Sequence, residues 1–183
     1  MSLNVGKFVL ILSLVCCLAA SAIPAQKFQI IRNVDGDSFV ARNVECREAN
    51  LDDCNQSIRL IGVNTPEIAQ EKWGKLAAAF TSEFFAQNPE FWLETDIRPK
   101  DQYGRTLAYV YSSDKSQMLN KELLENGFAE VYTFARNRRY LTDFKILEAS
   151  ARKSNKNIWH KEEGLKLSPS KFRSNSKREK DNK

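Results

Sequence analysis

Alternation of apolar and polar side chains with a period of two sets in just after Lys27. Phe28–Val34 (FQIIRNV) and Ser38–Val44 (SFVARNV) each read as a strand, with Asp35-Gly36 between them as a hairpin-turn signal. The alternation resumes over Ser57–Val63 (SIRLIGV), after a polar excursion at 45–56 that holds two cysteines. A helical period follows at about Lys75–Gln87, where Leu76, Ala79, Phe80, Phe84 and Phe85 make an apolar stripe and Asn88-Pro89 ends it. Phe91–Ile97 and Thr106–Tyr111 are two further strands, joined by a polar turn from Pro99 to Gly104. The last third reads helical: Met118–Glu125 closes on Asn126-Gly127 as a C-cap, and Leu141–Ser154 places Leu141, Phe144, Ile146, Leu147 and Ala151 at mostly helical spacing. Five short strands with helices inserted and appended predict an α+β fold whose strands close as a small Greek-key barrel.

The two ends of the chain have a different character. Residues 1–22 carry one charged side chain, Lys7, followed by an apolar run from Phe8 to Ala20. At about 1.5 Å per residue that run makes roughly 20 Å of helix, short of a ~30 Å hydrocarbon core. It ends in Ala20-Ser21-Ala22, a small-x-small cleavage pattern, so 1–22 is read as a signal peptide. The exported chain is then secreted or periplasmic, with no stable membrane association. It keeps Cys46 and Cys54, for which an oxidising compartment makes a disulfide the expected state. At the other end, residues 161–183 hold eight Lys/Arg, four Asp/Glu and only Leu165, Leu167 and Phe172 as apolar side chains. Such a segment buries too little surface to offset ordering entropy, and a disordered basic tail is expected. A single domain at 23–160 remains.

Composition narrows the function classes. The 183 residues are 42% hydrophobic and 28% charged, which excludes wholesale disorder and a polytopic membrane protein. His160 is the one histidine, so a His-ligated zinc site or a Ser-His-Asp triad has almost no material to draw on. The formal charge of +5 belongs mostly to the tail: with Lys7 and the tail set aside, residues 23–160 carry 19 Lys/Arg against 19 Asp/Glu. Any attraction for a polyanion must come from local placement of charge.

Three stretches combine acid or arginine with a strand-to-turn junction: Val34–Ser38 (VDGDS), Arg59–Glu67 (RLIGVNTPE) and Asp101–Arg105 (DQYGR). Carboxylate and amide oxygens suit a hard divalent cation such as Ca²⁺. Arginine forks match phosphate oxygens and stay charged at any relevant pH. A spare carboxylate can position or deprotonate a water, which completes the parts for metal-assisted attack on a phosphodiester. A further segment, Tyr132–Tyr140 (YTFARNRRY), interleaves Arg136, Arg138 and Arg139 with aromatics, a pattern suited to a polyanion with stackable bases.

These blocks, with Thr106–Tyr111, Met118–Asn120, Gly127–Ala129 and Asn157–Trp159 in the same order, resemble the staphylococcal nuclease (thermonuclease) family from about Phe28 to Trp159. The resemblance implies a five-stranded OB-fold barrel with three helices. It also implies a monomeric, Ca²⁺-dependent phosphodiesterase that acts on DNA and RNA and leaves 3′-phosphate ends. Carried over by position, Asp37 and Asn64 would be side-chain ligands of one Ca²⁺ and Thr65 a backbone ligand. Glu67 would hold or deprotonate the attacking water. Arg59 and Arg105 would bind the scissile phosphate, and Tyr103 would line the nucleotide pocket, with Tyr132 as a second substrate-binding aromatic. Asn64 stands where the family usually has Asp and so brings one charge fewer to the metal. Decay of that site would leave a noncatalytic nucleic-acid-binding barrel. The presence of Asp37, Arg59, Glu67 and Arg105 together argues for the enzyme.

Overall fold

A computed structural model describes residues 25–133 and 136–181. The expected signal peptide at 1–22 lies outside the described residues, and among those described no helix is long and apolar enough to cross a membrane. In chain order the elements are β1 (Gln26–Asn33), β2 (Ser38–Asn43), β3 (Asn55–Leu60), β4 (Val63–Asn64), α1 (Glu71–Gln87) and β5 (Glu90–Glu94). They continue with β6 (Thr106–Tyr111), α2 (Leu119–Glu125), β7 (Glu130–Val131), α3 (Leu141–Lys153) and α4 (Pro169–Asp181).

The strands close in the order β1-β2-β3-β6-β5, with β5 returning to pair with β1. All pairs are antiparallel except β3–β6, where Arg59 lies opposite Leu107 in a parallel register. A parallel neighbour needs a crossover, and the segment carrying α1 and β5 supplies it. The expected five-stranded barrel is therefore present. A two-stranded ribbon of β4 and β7 is added, and the described helices number four rather than three.

Alternate residues of β1, β2 and β5 send Phe28, Phe39 and Phe91 into the barrel. Phe85 of α1 caps them, its ring 4.8 Å from that of Phe39 and 4.7 Å from that of Phe91. Burying each such side chain contributes roughly 1.5–3 kcal/mol. The buried face of α1 differs from the expected stripe. Trp73, Ala77, Thr81, Phe84 and Phe85 face inward, whereas Leu76 and Ala79 are exposed. The helix begins at Glu71, a turn earlier than its large apolar residues suggest, and Thr81 is drawn inward by donating its hydroxyl to the Gly36 carbonyl at 2.7 Å. On α3, Phe144 and Ala151 are buried while Ile146 is 64% exposed.

Cys46 and Cys54 are joined in a disulfide with Cα atoms 5.9 Å apart. It staples the β2–β3 loop at the end of the ladder where Arg42 pairs with Asn55. Ser38 and Arg59 pair at the opposite end. The segment after His160 departs from the expected disorder. Leu165 donates its N–H to the Ile158 carbonyl at 2.9 Å, and Ser168-Pro169 opens α4.

Candidate active site

The site grows from the Ser38–Arg59 end of the β2–β3 ladder. Val34 and Asp35 donate their N–H groups to the Ser38 carbonyl, and the Asp37 N–H is taken by Asp35 Oδ1 at 2.9 Å. This turn lies flat against α1 because residue 36 is glycine. A Cβ there would stand 2.8 Å from two Thr65 side-chain atoms and 2.9 Å from Ala77 Cβ. The tight packing leaves Asp37 only 1% exposed.

The β3–β4 connection brings the second block to the same place. It turns at Gly62, whose φ of +79° favours glycine, and Phe144 packs where a Cβ would project. Asn120 fixes the turn by donating to the Ile61 carbonyl at 2.8 Å. Thr65 then donates its N–H to Asp37 Oδ2 at 2.8 Å, while Ser38 Oγ donates to Asp37 Oδ1 at 2.9 Å. Arg59 reaches the same carboxylate at 3.0 Å and donates to Asn64 Oδ1 at 3.3 Å and to the carbonyls of Leu60 and Val63 at 2.7 and 2.9 Å. Burial lowers its guanidinium from the ordinary arginine value, with Asp37 opposing and the nearby Arg173 charge adding to the effect. Burial, then the neighbouring Asp37 charge, pushes Asp35 up to about 6.

Arg105 is set by its own turn. Asp101 Oδ1 accepts from the N–H groups of Tyr103 and Arg105 at 2.9 and 3.0 Å, and Oδ2 accepts from Arg105 Nε at 2.7 Å. Burial raises the Asp101 carboxyl, but the Arg105 and Tyr103 donors outweigh it and hold the group below its usual range. Among the described residues the terminal nitrogens of Arg105 have no protein acceptor. Arg59, Tyr103, Arg105 and Tyr132 line one cavity of about 210 Å³. Tyr103 is 75% exposed and Tyr132 is 38% exposed at its mouth.

Asp37, Asn64, Thr65 and Arg59 thus meet directly, and Arg105, Tyr103 and Tyr132 flank them. Glu67 joins them through a residue that sequence reasoning missed. Arg173 of α4 pairs through Nε with Glu67 Oε1, contacts Asn64 Oδ1 through a terminal nitrogen and lies 3.9 Å from Asp37 Oδ2. Glu130 was also missed. Its Oε1 accepts from Asn64 Nδ2 at 2.9 Å and from Ser170 Oγ at 2.7 Å, which turns the amide oxygen of Asn64 toward Arg59 and Arg173. Ser168-Pro169 is a local signal for the start of α4, since serine and proline favour the N-cap and first helical positions. Nothing local announces the reach of Arg173 or Glu130. Arg139, read from sequence as facing a polyanion, is instead paired with Glu94 and lies 3.7 Å from Asp96. Arg136 and Arg138 are exposed.

The donor set fits a hard divalent cation. Among the described residues no three His, Cys, Asp or Glu side chains converge as a cage. The oxygens expected from the sequence to hold it are the Asp37 carboxylate, the Asn64 amide and the Thr65 backbone carbonyl, and the first two already accept from protein donors. The buried hydroxyl of Thr65 lacks a hydrogen-bond partner, and a guanidinium already stands against Asp37 and Asn64. A cation held there, beside two arginines and the Glu67 carboxylate that Arg173 pairs with, is an arrangement suited to phosphate esters.

Comparison with known proteins agrees with this class. Residues 57–161 match the family model described as "Staphylococcal nuclease homologue". The chain is 34% identical over 139 residues to the thermonuclease of Staphylococcus hyicus, covering 73% of this chain and 76% of that protein. It is 31% identical over 148 residues to the thermonuclease of Staphylococcus intermedius, covering 78% and 82%. An endonuclease of Saprolegnia parasitica, Htp3, is 28% identical over 151 residues, covering 72% and 68%. The chain belongs to the staphylococcal nuclease family.

Proposed function

We propose that the chain is an exported nuclease, secreted or periplasmic, which uses one Ca²⁺ to hydrolyse phosphodiester bonds of DNA and RNA and leaves 3′-phosphate ends. The observation that carries this reading is the meeting of Arg59, Asp37 and Asn64 at one end of the barrel, beside a cavity that Arg105 and Tyr103 also line. The thermonuclease and endonuclease relatives support the same reaction class. The enzyme acts as a monomer.

Asp37, Asn64 Oδ1 and the Thr65 carbonyl would hold the cation, which when bound polarises a phosphate oxygen and orients water. Arg59 has its terminal nitrogens committed to protein oxygens, so it meets the substrate chiefly as a fixed buried charge. Arg105 is held by Asp101 through Nε, and its terminal nitrogens donate to the phosphate. The two guanidinium groups flank the phosphorus and stabilise charge that grows on its oxygens as water adds. Glu67 accepts the proton from that water. The 5′ oxygen departs and is protonated from solvent. Tyr103, exposed at the mouth, offers a ring face to the base.

Cleavage of plasmid DNA and of RNA, with Ca²⁺ and with chelator, tests this reading beside Glu67→Gln and Arg105→Ala. Loss of the base is expected to slow cutting by about 10²–10⁴-fold. Loss of the Arg105 donors is expected to slow it by about 10²–10³-fold. Equal rates in wild type and both variants would overturn the assigned roles.

A further inference from the structure

We propose that the C-terminal segment from Glu163 to α4 is a strap that closes the active site in cis, with the Arg173 guanidinium occupying the place of the catalytic cation. The proposal rests on the reading of Asp37, Asn64 and Glu67 as the metal and water site. Arg173 is bonded to Glu67 and Asn64 and lies 3.9 Å from Asp37 Oδ2, so one side chain engages both side-chain metal ligands and the base. A divalent cation needs the same oxygens, and the two positive charges exclude one another. Arg173 also blocks space: it lines the cavity that holds Arg59 and Arg105, and it lines the neighbouring cleft between Asp35, Glu67 and Phe172.

The segment is anchored along its length. Trp73 Nε1 donates to the Glu163 carbonyl at 3.1 Å, and Lys72 pairs with the Glu163 carboxylate at 2.8 Å. Gln70, 2% exposed, donates its amide N–H to the Leu167 carbonyl at 2.5 Å. Ser170 donates through N and Oγ to Glu130, the carboxylate that also orients Asn64. These contacts are polar, and among the described residues the fully buried hydrophobic side chains end at Ile158, with Pro169 buried and Leu165, Leu167 and Phe172 half-buried along the strap. A strap of this kind can leave without unfolding the barrel. Arg173 itself is 41% exposed at its side chain, so competing cations can reach it. The free protein is accordingly held closed. Ca²⁺, or proteolysis between His160 and α4, opens it.

The test is Ca²⁺ titration calorimetry on the full exported chain, wild type against Arg173→Ala, with amide exchange across residues 169–176 of the wild type. Arg173→Ala is expected to bind Ca²⁺ about tenfold more tightly, within the usual range for two coupled ligands. Ca²⁺ is expected to speed amide exchange in α4 of the wild type, a readout that needs no variant. Lys171→Ala makes the same change in net charge on the same helix and is expected to leave both affinity and cutting unchanged. If Arg173→Ala binds Ca²⁺ as wild type does but binds a short oligonucleotide more weakly, Arg173 is a substrate contact and the strap is overturned. Unchanged α4 exchange on adding Ca²⁺, or no Ca²⁺ binding by either protein, overturns it as well. Tighter Ca²⁺ binding without DNA cutting by either protein supports the strap and sinks the nuclease reading instead.

Discussion

Gly74→Ala sets two effects of opposite sign against each other. In the interior of α1, alanine is favoured over glycine by roughly 1 kcal/mol on intrinsic helix preference. The surroundings of Gly74 reverse that sign. A Cβ there would stand 1.8 Å from the Glu67 carbonyl oxygen, 2.5 Å from its carbon and 2.8 Å from Ile68 Cα. All three are backbone atoms, so no rotamer change relieves the clash. Restoring an ordinary contact of about 3.5 Å requires helix and loop to part by roughly 1.7 Å. Overpacking against unyielding backbone takes the upper part of the usual range of about 1–3 kcal/mol. After the helix gain of about 1 kcal/mol, the net loss of stability is about 1–2 kcal/mol. For a domain of this size that lowers Tm by roughly 2–8 °C. The functional effect is larger, because the residue pushed away is the proposed base, and a 1 Å misplacement costs about 10²-fold in rate. Thermal melting by circular dichroism and initial rates of plasmid nicking at 25 °C read the two effects separately. Gly104→Ala is the contrasting case: its φ is +79°, unlike that of Gly74, and nothing lies within 4 Å of the added Cβ, so its effect is confined to backbone strain. A Gly74→Ala protein with raised Tm and wild-type nicking would refute the close-approach reasoning.

Other expectations concern the same site and the far rim. The raised Asp35 carboxyl binds its proton more tightly in the folded state than its ordinary 3.8. Its contribution is therefore most favourable at low pH and is lost as pH rises toward about 6. Asp35→Asn, measured by urea unfolding in chelator, should gain at most about 3 kcal/mol over wild type at pH 7.5 and little at pH 4; equal differences at both pH values contradict this. Asn64→Asp alone sets a new carboxylate against Glu130 Oε1, now 2.9 Å from the amide nitrogen, so its gain in Ca²⁺ affinity should be small. Paired with Glu130→Gln the gain should be several-fold larger by calorimetry, and additive single effects would count against that coupling. Replacing Cys46 and Cys54 by serine should lower stability by about 2–3 kcal/mol and leave the cleavage rate at 25 °C unchanged, since the bridge lies at the opposite end of the ladder from Arg59. A slowed rate at full folding would refute that separation.

What local pattern could reveal, it revealed. The period-two runs at Phe28, Ser38 and Ser57 are the strands that close the barrel, because alternation is imposed directly by a pleat with one face buried. The blocks proposed to carry function were legible for a related reason. Asp37, Arg59 and Arg105 sit at strand ends, where turn chemistry marks the chain. The stripe expected on α1 holds for Phe84 and Phe85 but not for Leu76 and Ala79, which are exposed. Ala77 and Thr81 are buried by the close approach of the Gly36 turn, a fact about tertiary distance. Arg139 looked free because its partners, Glu94 and Asp96, lie more than forty residues away in sequence. The tail was misread from composition. Too polar to form a core of its own, it is ordered by Gln70, Trp73 and Glu130, all supplied by the domain it lies on.

The most direct measurement is digestion of end-labelled DNA by the full exported chain, with Ca²⁺ against chelator, followed by analysis of the new ends. Ca²⁺-dependent cutting is expected, with products that carry 3′-phosphates and prime a polymerase only after phosphatase treatment. DNA that is retarded in a gel yet stays uncut with Ca²⁺ and every other divalent ion would contradict it, and would make this barrel a binding module.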